Sequence, residues 1–250
     1  MDFYDQIADS YAELTGQSRR QAPAGRFIEE LMRRFDIASA VDAACGAGLF
    51  AIELARREVD VIASDISSEM LKSAELNAAA AGIDTDICSW LQAPMQDLGD
   101  RISGARDAVV CMGNSLPHLL DDEDLRRTLE GFAAILTGGG VLALHLLNYA
   151  GVLGRGERIV GITRDGEREF VRFYDFGDDL VDFNILEIKW DADGGPATKL
   201  ISTPLRPYLY NELTDALAGA GFSDIQTFGD LQFSPFDPET SDTLLLTGIK

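Results

Sequence analysis

Short apolar runs alternate with amphipathic stretches through residues 40–147. Residues 40–44, 59–63, 84–89, 107–112 and 141–147 read as strands. Residues 49–57 read as a helix. Ser67 is placed to N-cap a second helix that runs to Ala81 and stops at Gly82. Asp121 caps a third, with an acidic first turn suited to the helix dipole. Its apolar positions Leu125, Leu129, Phe132, Ala133 and Leu136 recur at helical spacing, and Gly138-Gly139-Gly140 ends it. Continuously apolar strands alternating with helices predict a parallel sheet covered on both faces. Ligands of such sheets bind beyond the carboxyl ends of the strands.

The pattern changes after Gly151. Residues 158–163, 170–176, 181–190 and 198–206 read as strands separated by turn sequences: Asp165-Gly166, Gly177-Asp178-Asp179 and Asp191-Ala192-Asp193-Gly194-Gly195. The first pattern then returns, with a helix at 211–220 stopped by Gly221 and strands at 225–228 and 243–249. The expected architecture is one α/β domain over residues 1–250, a doubly wound, mostly parallel seven-stranded sheet. An antiparallel β insertion at 152–208 is placed to form a lid or substrate wall over the site.

Composition narrows the function classes. A chain of 250 residues, 46% hydrophobic and 25% charged, can bury a proper core. No apolar stretch approaches the ~20 residues of a membrane span, and Met1-Asp2-Phe3-Tyr4-Asp5 is not the start of a secretory signal. Three cysteines, Cys45, Cys88 and Cys111, cannot pair fully, and no CxxC occurs, which points to reduced thiols in the cytoplasm. Two histidines without a ligand cluster give no expectation of a metal site. The net charge of −21 repels phosphate backbones, so nucleic-acid substrates are disfavoured. That charge serves solubility, adaptation to salt, or a preference for cationic acceptors. The expected partner is a small molecule, with no membrane, and a homo-oligomer stays open.

The chemistry centres on Val41-Asp42-Ala43-Ala44-Cys45-Gly46-Ala47-Gly48 and on Asp65. Gly46-Ala47-Gly48-Leu49-Phe50-Ala51 fits G-x-G-x-x-G/A, in which glycines let backbone N–H groups approach a ligand. Asp65 stands where a carboxylate accepts from ribose hydroxyls. Together they imply an adenosine-containing cofactor. Asp42 just before the turn would repel a diphosphate but suits a sulfonium bearing an ammonium group.

Asp42-x-x-Cys45-Gly46-x-Gly48 and Asp65-x-Ser67-x-x-Met70-Leu71 resemble the first two motifs of class I S-adenosylmethionine-dependent methyltransferases. Tyr4-Asp5-x-Ile7-Ala8-x-x-Tyr11 is similar to the N-terminal arm that closes over the cofactor in many of them. Ser89-Trp90-Leu91, Gly113-Asn114-Ser115-x-x-His118-Leu119 and Asn148-Tyr149-x-x-x-Leu153 resemble the glycine and sarcosine N-methyltransferases. The resemblance implies the Rossmann-like methyltransferase fold and S-adenosyl-L-methionine as cofactor, leaving as S-adenosyl-L-homocysteine. It implies that Tyr4, Tyr11, Asp42, Ala44, Gly46, Gly48, Asp65, Ile66, Met70, Met112 and Gly113 hold the cofactor. It further implies that Ser89, Trp90 and Leu91 contact its adenine, and that Asn114 and His118 face the reaction, with Asn148 at the substrate. Read from the residues alone, His118 is either functional or a capping or surface residue, and Tyr149 either places its hydroxyl at the substrate or simply packs. Arg20, beside Arg19, could meet the cofactor carboxylate or belong to a solvated pair.

The chain also departs from that group, which carries an arginine immediately before the Asn-Tyr pair to clamp the amino-acid carboxylate. Here that position is Leu147, which cannot make a bidentate pair. Either Arg206 takes its place, in Arg206-Pro207-Tyr208-x-Tyr210, a segment similar to one in many small-molecule methyltransferases, with Tyr208 beside it, or the substrate is not a simple amino acid; the alternative for Arg206 is a surface ion pair. His145, in an apolar strand, reads as a core histidine. The expected activity is in-line methyl transfer to an amine or amino-acid-like acceptor. A nicotinamide oxidoreductase and a non-catalytic cofactor-binding protein are the alternatives.

Overall fold

The computed structural model describes residues 3–8, 11, 14, 17–190 and 195–250. The first half alternates helices and strands: α1 (Gln17–Arg34), β1 (Ser39–Ala43), α2 (Leu49–Ala55), β2 (Asp60–Asp65), α3 (Ser68–Ala80), β3 (Cys88–Gln92), α4 (Leu98–Arg101), β4 (Arg106–Cys111), α5 (Asp122–Ile135) and β5 (Leu136–Leu147). After α6 (Tyr149–Arg155) come β6 (Ile159–Asp165), β7 (Arg168–Phe176), β8 (Val181–Lys189) and β9 (Ala197–Leu205). The chain closes with α7 (Tyr210–Gly219), β10 (Ser223–Phe228) and β11 (Thr243–Ile249).

The main sheet has seven strands in the order β10-β11-β5-β4-β1-β2-β3. Strands β1 to β5 pair in parallel, and β11 runs antiparallel between β5 and β10. The order reverses direction at β1 and β4, whose carboxyl ends therefore open a crevice. Alternation along the buried strands feeds two cores. Leu142, Leu144 and Leu146 of β5 pack with Leu129 and Phe132 of α5 and Leu213 of α7 on one face. Val141 and Ala143 pack with Phe27 and Leu31 of α1 and Leu54 of α2 on the other. Each such Leu, Val or Phe contributes roughly 1.5–3 kcal/mol by leaving water.

The second sheet, β6-β7-β8-β9, is antiparallel throughout. Its Phe170, Ile185 and Ile201 face the main domain and pack on Met70 of α3, with Phe3, Ile7 and Leu14 of the N-terminal segment in the same cluster. The turn expected at residues 191–194 lies outside the described residues.

Some elements differ from the pattern read above. The apolar positions Ala24, Phe27, Ile28 and Leu31 build α1 despite Pro23 inside it, a helix the pattern reading does not predict. Strand β3 begins at Cys88, because Asp84 folds the preceding residues into a turn through bonds from the Asp86 and Ile87 N–H groups. The glycines 138–140 do not separate α5 from β5 but form a bulge inside it. Arg106 pairs with Leu136 and Ala108 with Val141, so extra residues on β5 loop out, with Gly139 at φ 86°. Among the described residues no helix is long and apolar enough to cross a membrane.

Helix α4 crosses α5 with backbones touching: a Cβ on Gly99 would lie 2.7 Å from the Cα of Gly131. Gly99→Ala should therefore force the helices apart and cost about 1–3 kcal/mol in urea unfolding. An unchanged midpoint would show that this contact does not constrain the packing.

Candidate functional site

Asp42 is 1% exposed near the end of β1, and its Oδ2 accepts from the Ala51 N–H of α2 at 2.9 Å. The chain then turns through left-handed conformations at Ala44 (φ 57°), Gly46 (φ 54°) and Gly48 (φ 83°). A Cβ on Gly48 would meet Ala74 Cβ at 3.0 Å and Trp90 at 3.2 Å, so this position needs glycine for space as well as for φ. Asp65, at the end of β2, joins this turn to the next. Its Oδ2 accepts from the Gly46 N–H at 2.8 Å and its Oδ1 from the Ser67 N–H at 2.9 Å. Ser67 caps α3 by accepting from the Met70 N–H, and its hydroxyl donates to Asp5 at 2.5 Å.

Two cavities open over these strand ends. The first, of about 210 Å³, is walled by Asp42, Ala44, Gly46, Asp65, Ile66, Met95 and Met112. The second, of about 290 Å³, lies under the inserted sheet and is walled by Asn114, His145, Leu147, Arg172, Tyr174, Phe183 and Ile185. Tyr4, Tyr11, Arg20, Gly113 and His118 line both and form the partition between them. Within it the Tyr4 hydroxyl and His118 Nε2 share a 2.8 Å hydrogen bond, and Arg20 hydrogen-bonds the Tyr11 hydroxyl.

Residues 40–140 match a family described as a methyltransferase domain. The chain is 30% identical over 247 residues to a glycine/sarcosine N-methyltransferase of Halorhodospira halochloris, covering 95% of this chain and 86% of that protein. This chain belongs to the S-adenosylmethionine-dependent methyltransferases and is a relative of the glycine/sarcosine N-methyltransferases. The methyltransferase fold is shared at TM-score 0.84 with a methyltransferase from Streptomyces caelestis, at 20% identity over 99% of this chain and 97% of the other. It is shared at 0.82 with a S-adenosylmethionine-dependent methyltransferase from Clostridium acetobutylicum, at 19% identity over 99% of both chains.

Electrostatics separate the two cavities of this methyltransferase. Burial pushes the Asp42 carboxyl up to about 8, against the Ala51 N–H, with the charge of Asp65 adding to the rise. Burial also raises the Tyr11 hydroxyl, opposed by Arg20. In the second cavity, burial and then the charge of Arg20 pull His145 down to about 4, so its ring is neutral at pH 7. Its buried Nδ1 has no hydrogen-bond partner among the described residues. His145 is thus a cavity residue, not a satisfied core histidine. It continues the face of Val141 and Ala143 past the cover of α1 and α2.

The structure assembles most of the residues singled out in the sequence and sets others apart. Tyr4, Tyr11, Arg20, Asp42, Ala44, Gly46, Asp65, Ile66, Met112, Gly113, Asn114 and His118 line one cavity or both. Ser89, Trp90 and Leu91 line neither. Because β3 starts late, they lie within the strand, paired with Ile62, Ala63 and Ser64. Trp90 packs behind Gly48, Leu91 turns into the core, and the Ser89 hydroxyl donates to Val61 O. Met70 is 1% exposed beneath the N-terminal segment.

On the acceptor side, Tyr149 is buried outside the cavity. Its hydroxyl accepts from Asn114 Nδ2 at 3.0 Å, while Asn114 Oδ1 accepts from the Leu147 N–H, so Tyr149 positions Asn114. Asn148 donates to Pro238 O and Ser241 O, tying down the β11 approach. Arg206 is paired with Asp122 at 2.7 Å and with Glu212, and stacks on Tyr208. Tyr208 is fully buried and donates to Leu119 O at 2.7 Å. Neither reaches a cavity, which removes Arg206 as the replacement for an arginine at position 147. Met95, His145 and Arg172 are wall residues that the sequence reading misses.

A carboxyl raised from the ordinary ~3.9 to about 8 keeps a proton in the folded state that the unfolded chain has lost. Its contribution to stability is therefore full below pH ~4 and falls as pH rises towards 8. In thermal unfolding of the ligand-free protein, Asp42→Asn should flatten the decline in midpoint across this range. Identical slopes would mean that Asp42 ionises normally.

Proposed function

We propose that the chain methylates a small amine or amino-acid-like acceptor by in-line transfer, with the cofactor in the first cavity and the acceptor in the second. The observation that carries this reading is the pair of adjoining cavities. One has carboxylates and a glycine turn, the other has Asn114, His145 and Arg172 among largely apolar walls, and they meet at the Tyr4–His118 pair. S-adenosylmethionine, when bound, supplies a methyl group activated by a sulfonium.

The residues present suit that molecule chemically. Asp65 can accept from ribose hydroxyls while keeping the turn N–H groups ordered, and Asp42 offers a buried carboxyl to an ammonium. Arg20 can pair with a carboxylate. Ile66, Met95 and Met112 give apolar surface for a purine.

The protein's work is to align and to desolvate. Asn114, held in the left-handed region at φ 70° and anchored by Tyr149 and the Leu147 N–H, orients the acceptor. The acceptor amine must reach the partition neutral, and His118 there, or water, would take the proton that its nitrogen gives up. The inserted sheet covers the acceptor and sets its size. The named activity of the relatives on glycine and sarcosine supports an amino-acid-like acceptor.

A screen of amines, amino acids and phenols with S-adenosylmethionine, read by S-adenosylhomocysteine release, should find turnover on amines or amino acids. His118→Ala should lower kcat on the best acceptor by about a hundredfold. Turnover confined to phenols, or a His118→Ala enzyme as fast as the parent, would contradict this reading.

A further inference from the structure

The inward face of the inserted sheet is apolar over Phe170, Tyr174, Phe183, Ile185 and Leu205, yet Arg172 projects from it between Phe170 and Tyr174. The register sets Arg172 opposite Gly161 on β6 and Ile185 on β8, and it lines the second cavity. Gly161 leaves the room it occupies: a Cβ there would lie 2.8 Å from Arg172 Nη2. Its Nε is buried without a hydrogen-bond partner among the described residues.

Among the described residues no carboxylate pairs with it. Glu187, an acidic residue on the same sheet face, pairs instead with Arg168 and Lys189. Burial, together with the like charge of Arg20, disfavours the Arg172 cation. In a chain of net charge −21, other arginines such as Arg33, Arg57, Arg126 and Arg206 have found carboxylates. A half-buried guanidinium left without a counterion costs stability, and a bound anion removes that cost. His145, neutral and with its Nδ1 unpartnered in the same cavity, offers a further hydrogen bond without adding charge.

We propose that Arg172 is the anion anchor of the acceptor cavity: it pairs with the carboxylate of an amino-acid acceptor. The acceptor amine is then directed towards the Tyr4–His118 partition. The proposal rests on the assignment of the second cavity to the acceptor. It makes Arg172, carried by the inserted sheet, the residue that separates amino acids from uncharged amines. Leu147, in the wall of the same cavity, cannot take this part.

The test is saturation-transfer NMR with acetate as the probe, on the protein alone and saturated with S-adenosylhomocysteine. Acetate should bind the parent, and Arg172→Gln should weaken it at least tenfold. Arg172→Lys, which keeps the charge but not the bidentate fork, should fall between. Arg126→Gln, an exposed cation on α5, should match the parent. In turnover, Arg172→Gln should raise KM for a carboxylate-bearing acceptor at least tenfold and leave KM for an uncharged amine within about twofold. Acetate binding equal in the parent and both Arg172 variants, or absent from the parent, would overturn the anchor. Loss of S-adenosylhomocysteine binding would instead count against the cofactor assignment, because acetate binding to the protein alone reads Arg172 separately.

Discussion

The site depends on one carboxylate that holds two turns together. Strands β1 and β2 are adjacent and in register, Ala43 opposite Ser64, and the Cys45 N–H bonds to Ser64 O at 2.8 Å. That register brings the glycine turn after β1 within reach of Asp65. Its two oxygens then accept from the N–H groups of Gly46 and Ser67, one from each turn. Through Ser67 the same group is linked to the cap of α3 and to Asp5 of the N-terminal segment. The left-handed residues at Ala44 and Gly46 are strained or costly in entropy, and such backbone persists only where its surroundings hold it. Asp65 provides that hold while facing the first cavity.

From this clamp the rest follows in layers. The N-terminal segment, fixed partly through Asp5, places Tyr4 and Tyr11 between the two cavities. It also packs Phe3, Ile7 and Leu14 against the inserted sheet, so the second cavity gains its roof from the same contacts that complete the first. The acidic surface and the cationic interior are then complementary. Many carboxylates face water, and Asp42 and Asp65 sit beside the glycine turn, whereas Arg20 and Arg172 point into cavities where burial makes an anion valuable.

How far the sequence reveals this depends on whether the information is local. Asp42, the glycine turn, Asp65, Asn114 and His118 all stand at or just past the ends of apolar strands, and a parallel sheet brings strand ends together. The seven-stranded sheet and the four hairpin strands are legible for the same reason. Trp90 is misplaced because an Asp84 turn delays β3, shifting the residue from beyond the strand into it. The sequence leaves Arg206 open between anchor and ion pair because its partners, Asp122 and Glu212, come from two helices whose approach no local pattern shows. Arg172 escapes notice because along β7 it is one polar residue in an alternating strand. Only the packing of one sheet over the other turns its face inward.

The most direct measurement is calorimetric titration of S-adenosylhomocysteine into the parent protein and Asp65→Ala, with circular dichroism confirming that both are folded. The account predicts about a hundredfold weaker binding in the variant, since both the turn and the ribose lose their acceptor. Equal affinities in two folded proteins would contradict it.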